Sequence, residues 1–163
     1  MKRLTLFTLS LTMAALAAQA SRSEAEGIRL PPVTHAATLK ECSACHMVFP
    51  PQFLPERSWT ALMAGLDDHF GENAGLDDAT RADITAFLAA NAADVPGTPN
   101  QRRLMRGIGA GDTPLRITDT PYWRRGHHEL SERRFKSDRV KSKANCMACH
   151  RTADRGEFYE EDD

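Results

Sequence analysis

Cys42-Ser43-Ala44-Cys45-His46 and Cys146-Met147-Ala148-Cys149-His150 decide how this chain is read. Both have the form C-x-x-C-H, the attachment signature of c-type haem. The spacing follows from the chemistry. Two thiols must reach two vinyl groups on one edge of a porphyrin and form thioethers, and the next residue must set an imidazole under the iron. Cys at i and i+3 with His at i+4 lie on one side of a helical turn. The motifs therefore predict two covalently bound haems c (iron), attached through Cys42, Cys45, Cys146 and Cys149, with His46 and His150 as proximal ligands. Two C-x-x-C pairs also suit a zinc ribbon, a thioredoxin-like redox pair or disulfides. None of these needs a histidine after each second cysteine, and the chain has no further cysteine.

Ninety-nine residues separate His46 from Cys146, too many for closely stacked motifs, so each haem is expected to centre its own small lobe. Val95-Pro96-Gly97-Thr98-Pro99-Asn100 reads as a turn or linker between them. The expected division is 21–97 for the first lobe and 98–163 for the second, which ends in an acidic tail. Neither half is long enough to build much of a core from side chains alone. Haem supplies the missing apolar mass, so folding should depend on its attachment, as in small metal domains.

Residues 1–20 stand apart. Met1-Lys2-Arg3 is a positive start, Leu4 to Leu16 is mostly apolar, and Ala18-Gln19-Ala20 is a small-x-small site. This is the grammar of a secretory signal peptide cleaved after about Ala20, which places the mature protein in the periplasm. The apolar run is too short and too interrupted for a membrane span. Beyond it, 19 basic residues stand against 22 acidic ones. There is no basic excess to point to nucleic acid. Acidic residues gather from Glu157 to Asp163 and read as a solvated tail, with a docking surface for a basic partner as the functional alternative.

The fold class expected is mainly α. Trp59, Leu62, Met63, Leu66 and Phe70 recur at helical spacing, and Asp77-Asp78 can cap a second helix carrying Ile84, Phe87 and Leu88. Pro50-Pro51 breaks the chain after the first motif. The second half is irregular and loop-rich. Its Gly107-x-Gly109-x-Gly111 lacks the spacing and setting of a phosphate cradle.

A second His or Met on each iron makes a closed, electron-transferring haem, and an open side makes a gas-binding or catalytic one. His69 falls beside Leu62 and Leu66 on a helical wheel, which makes it the sixth-ligand candidate for the first haem, ahead of Met63 and His35. If Tyr122 to Leu130 is helical, Trp123, His127 and Leu130 share a face, which favours His127 over His128 for the second haem. Met47 and Met147 lie within or beside their own motifs and cannot easily reach across a ring. Arg103, Arg106 and Arg116 are candidates for propionates or for a solvated basic face. No catalytic residue is assigned. The function expected is electron transfer rather than catalysis. The alternatives are a small haem enzyme of peroxidase or nitrogen-oxide reductase type with one open site, and a haem sensor, for which no output domain is left room.

Beyond the motifs, the sequence resembles the dihaem cytochrome c family. The resemblance rests on Glu41-Cys42 to His46, Phe49-Pro50-Pro51, Leu54-Pro55, Ser58-Trp59 with Leu62-Met63, and Asp68-His69-Phe70-Gly71-Glu72-Asn73-Ala74. It continues through Asn91-Ala92-Ala93-Asp94, Arg116-Ile117-Thr118 and Val140-Lys141-Ser142-Lys143-Ala144-Asn145. It implies a soluble periplasmic carrier whose first lobe is class I cytochrome c-like and whose second has an unusual fold. It also implies bis-histidine haems, with His69 and His127 at the family's distal positions. The partners implied are an oxygen-binding monohaem cytochrome c and a membrane b-type cytochrome. The sequence departs from the pattern in having Ala37-Thr38-Leu39 where an aromatic is expected, in lacking an aromatic just before Val140, and in stopping at Asp163.

Overall fold

The computed structural model describes residues 27–159. The signal peptide expected over 1–20 and the acidic residues 160–163 lie outside them. The described part of the chain begins in a short strand, β1 (Ile28–Arg29). It then runs through α1 (Ala36–Cys42), α2 (Glu56–Ala64), α3 (Asp78–Ala90), α4 (Gln101–Met105), α5 (Pro121–Gly126) and α6 (Glu132–Phe135). It ends in β2 (Glu157–Phe158), antiparallel to β1. Short 3-10 turns join these elements. The fold is helix-rich, and no helix among the described residues is long and apolar enough to cross a membrane.

The first half is built as its punctuation predicts. Pro50 and Pro51 start a 3-10 turn that ends at Phe53. Its carbonyl at Pro51 accepts a hydrogen bond from the Trp59 indole at 2.7 Å, which fixes the ring of α2 against the turn. The Asp77 carboxylate accepts from the Ala79 and Thr80 amides and caps α3, as expected of an aspartate at that position. Leu54, Trp59, Met63, Leu66, Ile84, Leu88 and Ala92 bury together between α2 and α3. Met63 is thus core.

Two helices end earlier than their periodicity suggests. α2 stops at Ala64, where Gly65 closes the turn onto the Leu62 carbonyl. The stripe therefore ends at Leu66, and Phe70, with φ +61°, is exposed rather than part of the core. α5 stops at Gly126, and Leu130 is exposed rather than sharing a face with Trp123. In both cases the helix stops at or beside a glycine, short of where spacing alone would carry it.

A second core cluster draws from both sides of Gly97: Ile28, Leu30, Phe53 and Ala93 pack with Leu104, Ala153 and Phe158. Arg57 adds a polar tie. Its guanidinium donates to the carbonyls of Asp112 and Gly109, at 2.7 Å each, and pairs with Asp94 at 3.2 Å. The glycine-rich segment is therefore a loop clamped to α2.

The start of the acidic tail is not solvated. Glu157 and Phe158 form β2, Phe158 is 8% exposed, and its ring meets Phe53 edge-on with centroids 4.9 Å apart. The apolar ring outweighs the charges beside it, and Glu157 pairs with Arg29 at 2.8 Å. Gly156 makes this closure feasible. Its φ is +80°, and a Cβ there would lie 2.1 Å from the Leu30 carbonyl oxygen. Gly156→Ala is therefore expected to cost about 3 kcal/mol, read as a lower denaturant midpoint with both haems still attached.

Candidate haem sites

The first motif begins at the end of a helix. Cys42 is the last residue of α1, Ser43 closes it onto the Leu39 carbonyl, and 43–46 leave as a turn. The second motif is a tighter version of the helical turn expected: Cys146–Ala148 is 3-10, and the Cys149 and His150 amides both donate to the Cys146 carbonyl. No disulfide joins the four cysteines, and no three His, Cys, Asp or Glu side chains among the described residues converge as a metal cage. Burial pushes the Cys146 thiol up to about 11, and burial followed by Glu41 raises Cys42. At these two positions a raised thiol is the opposite of the low-pKa cysteines that run thiol redox chemistry.

Each motif histidine faces a second histidine. The rings of His46 and His69 are 6.1 Å apart with planes at 25°, and those of His127 and His150 are also 6.1 Å apart, with planes at 82°. Two imidazoles that hold one metal ion from opposite sides, through metal–nitrogen bonds of about 2 Å, have centroids about 6 Å apart. The residues present fit an iron between each pair.

The hydrogen bonds fit as well. His46 Nδ1 lies 2.6 Å from the Met47 carbonyl oxygen, His127 Nδ1 2.8 Å from that of Trp123, and His150 Nδ1 2.8 Å from that of Tyr159. A carbonyl only accepts, so Nδ1 carries the proton and Nε2 keeps the lone pair for a metal. His69 is placed by its backbone: its amide donates to the Glu72 carbonyl at 2.7 Å, and Gly71 N–H donates to Asp68 Oδ1 at 2.9 Å. Burial first, then His46 and Arg116, hold His69 below the usual histidine range, which keeps the ring neutral.

The other histidines are engaged elsewhere. His35 accepts from the Thr38 amide at the start of α1, stacks on Phe87 at 4.5 Å and reaches Asp83 at 3.4 Å. His128 is exposed and donates to the Arg125 carbonyl. Of the adjacent pair 127/128, it is His127 that faces His150.

Aromatic residues steady these rings. Phe49 stacks on His46 at 4.9 Å, Trp123 on His127 at 4.3 Å with planes at 9°, and Phe158 meets His150 at 6.0 Å. The roles of Phe49 and Phe158, and of the Tyr159 carbonyl, were not legible in the sequence. The i, i+4 spacing of Trp123 and His127 is the one signal that was. Arg116 lies 3.7 Å over the Phe70 ring beside His69, and Arg103 lies over Tyr122 and donates to the Gly27 carbonyl.

A cleft of about 440 Å³ is lined by Cys45 and His46 of the first motif with Met47 beside it, and by Val140, Lys141, Asn145 and Met147 leading into and within the second. The first motif thus faces the segment that leads into the second, although the two are far apart in sequence.

A dihaem cytochrome c family model matches residues 38–158. Three solved structures are similar. A dihaem cytochrome c from Rhodobacter sphaeroides is 50% identical with a TM-score of 0.71, and a DHC purified from the same organism is 47% identical with a TM-score of 0.65. In both comparisons 78% of this chain and 99% of the other are covered. A dihaem cytochrome c from Shewanella baltica OS155 is 31% identical with a TM-score of 0.58, covering 74% of this chain and 84% of that one. No curated protein is significantly similar.

Proposed function

The chain belongs to the dihaem cytochrome c family and carries two covalently bound haems c, and from that premise we propose that it is a periplasmic electron carrier with bis-histidine ligation at both sites. Cys42 and Cys45 hold one haem and Cys146 and Cys149 the other. His46 and His69 ligate the first iron, and His150 and His127 the second. The observation that carries this reading is the opposition of two imidazoles at 6.1 Å in each half.

Bound haem iron supplies a one-electron Fe(III)/Fe(II) couple, and a pair of imidazoles keeps its potential lower than a histidine–methionine pair does. The chain's own residues orient these ligands. Carbonyls of Met47, Trp123 and Tyr159 fix the tautomers, and Phe49 and Trp123 stack against the rings. Ligands already placed need little rearrangement between oxidation states, which is what a carrier requires. The partners we propose are an oxygen-binding monohaem cytochrome c and a membrane b-type cytochrome, with the chain passing single electrons between them.

The test is the optical spectrum of the reduced holoprotein with and without carbon monoxide. The expected result is no change, because both irons are capped. A shift in about half of the haem signal would mean one open site, and would replace the carrier with a small haem enzyme.

A further inference from the structure

Phe70 breaks two ordinary rules at once. It is a large apolar side chain left 44% exposed, and its backbone has φ +61°, a conformation that a bulky residue rarely adopts. Neither burial nor backbone preference holds it there. Strain of this kind persists where the surroundings use it. The ring of Phe70 is engaged on two sides of its sequence position. The His69 ring stands 4.8 Å from it, centre to centre, and the guanidinium carbon of Arg116 lies 3.7 Å from its centre. A guanidinium at that distance is attracted by the negative face of the aromatic ring. The turn thus seats a fixed positive charge one ring away from the distal histidine of the first site.

Arg116 is delivered by the other half of the chain. Its carbonyl accepts from the Asp119 amide in the 3-10 turn Ile117–Asp119, and Ile117 packs against both core clusters. Thr120 is 1% exposed and ties that turn to α5. Its hydroxyl donates to the Ile117 carbonyl at 2.7 Å and accepts from the Trp123 amide at 3.2 Å. The backbone at 116 is therefore anchored although the residue is exposed.

The sign of the charge matters because the neighbouring sequence has the opposite one. Asp67 and Asp68 precede His69 and Glu72 follows it, all three exposed. Haem iron carries one more positive charge as Fe(III) than as Fe(II). Nearby carboxylates therefore favour Fe(III), and a nearby cation favours Fe(II). After burial and His46, Arg116 is the next influence that disfavours a proton on His69, so its field reaches the ligand ring.

We propose that Arg116, held over the Phe70 ring, raises the reduction potential of the first haem, so that a residue of the second half tunes the cofactor attached to the first. This rests on the bis-histidine reading above. Arg116 supplies the charge, and Phe70 is a positioning residue that keeps it beside His69.

The test is a stepwise reduction of the matured full chain with dithionite, followed by electron paramagnetic resonance, in which the signal lost in His69→Ala marks the first haem. Arg116→Gln should lower the equilibrium constant for one-electron reduction of that haem about fivefold, roughly 40 mV at 59 mV per tenfold. The second haem should move by less than half as much. Arg116→Lys keeps the charge and should stay within about twofold of wild type. Phe70→Gly suits the positive φ and frees the arginine without removing it, so its midpoint should fall between those of wild type and Arg116→Gln. No fall in Arg116→Gln, an equal fall at both haems, or a lysine variant as low as the glutamine variant would overturn the proposal. So would loss of the low-spin signal in Arg116→Gln, which would make the residue a support for the ligand rather than a source of charge. A Phe70→Gly midpoint outside the expected interval would overturn the part given to the ring. Carbon monoxide binding to the reduced wild type sinks the ligation reading itself, whatever the midpoints of the variants.

Discussion

His69→Ala should turn one haem of the holoprotein from low spin to high spin and open it to carbon monoxide, while the other stays low spin. The expectation rests on the ring of His69 standing 6.1 Å from that of His46, with no other histidine facing His46 among the described residues. Alanine leaves the far side of that iron without a nitrogen, and nothing on the neighbouring turn replaces it. Met63 is 4% exposed inside the α2–α3 core, and His35 is held by Thr38, Phe87 and Asp83. Absorbance and electron paramagnetic resonance of the ferric protein read the outcome. The two low-spin sites should already differ, because ligand planes near parallel and ligand planes near perpendicular split the iron d orbitals differently, and the planes here stand at 25° and 82°. The signal lost in His69→Ala should be that of the near-parallel pair. If both haems remain low spin, His69 is not a ligand.

His127→Ala should do the same to the second haem, and His128→Ala should not. The discrimination is sharp because the two residues are adjacent in sequence but opposite in situation. His127 closes α5, donates to the Trp123 carbonyl, stacks on the indole and faces His150. The side chain of His128 is 71% exposed. Loss of the second low-spin signal in His128→Ala with its retention in His127→Ala would reverse the assignment. The carbon monoxide spectrum of each variant gives an independent reading, since an opened iron binds the gas and a capped one does not.

Much of this was legible without coordinates. Two C-x-x-C-H motifs name the cofactor and its attachment because that spacing answers to thioether chemistry. The Asp77 cap and the Pro50-Pro51 break are local events, in which a side chain or a ring acts on its own backbone within a few residues. His69 and His127 could be nominated, though the wheels that nominated them extended two helices too far. α2 and α5 end at Ala64 and Gly126, and His69 stands at the head of a turn with Phe70 and Gly71 at positive φ. Spacing reports a helix face only while the helix lasts.

What tertiary structure alone decided is how the ends and halves meet. Nothing local marks Phe158 as core. It is buried because Phe53, more than a hundred residues earlier, presents a ring for it to meet, and because Gly156 lets the chain pass against Leu30. The Tyr159 carbonyl that orients His150 is a backbone atom, which every residue type supplies equally. The sequence by itself determined the cofactor, the attachment residues and the local caps and breaks, since these depend on covalent chemistry and near neighbours. The pairing of imidazoles and the shared core depend on contacts between distant residues, which only the closed chain brings together.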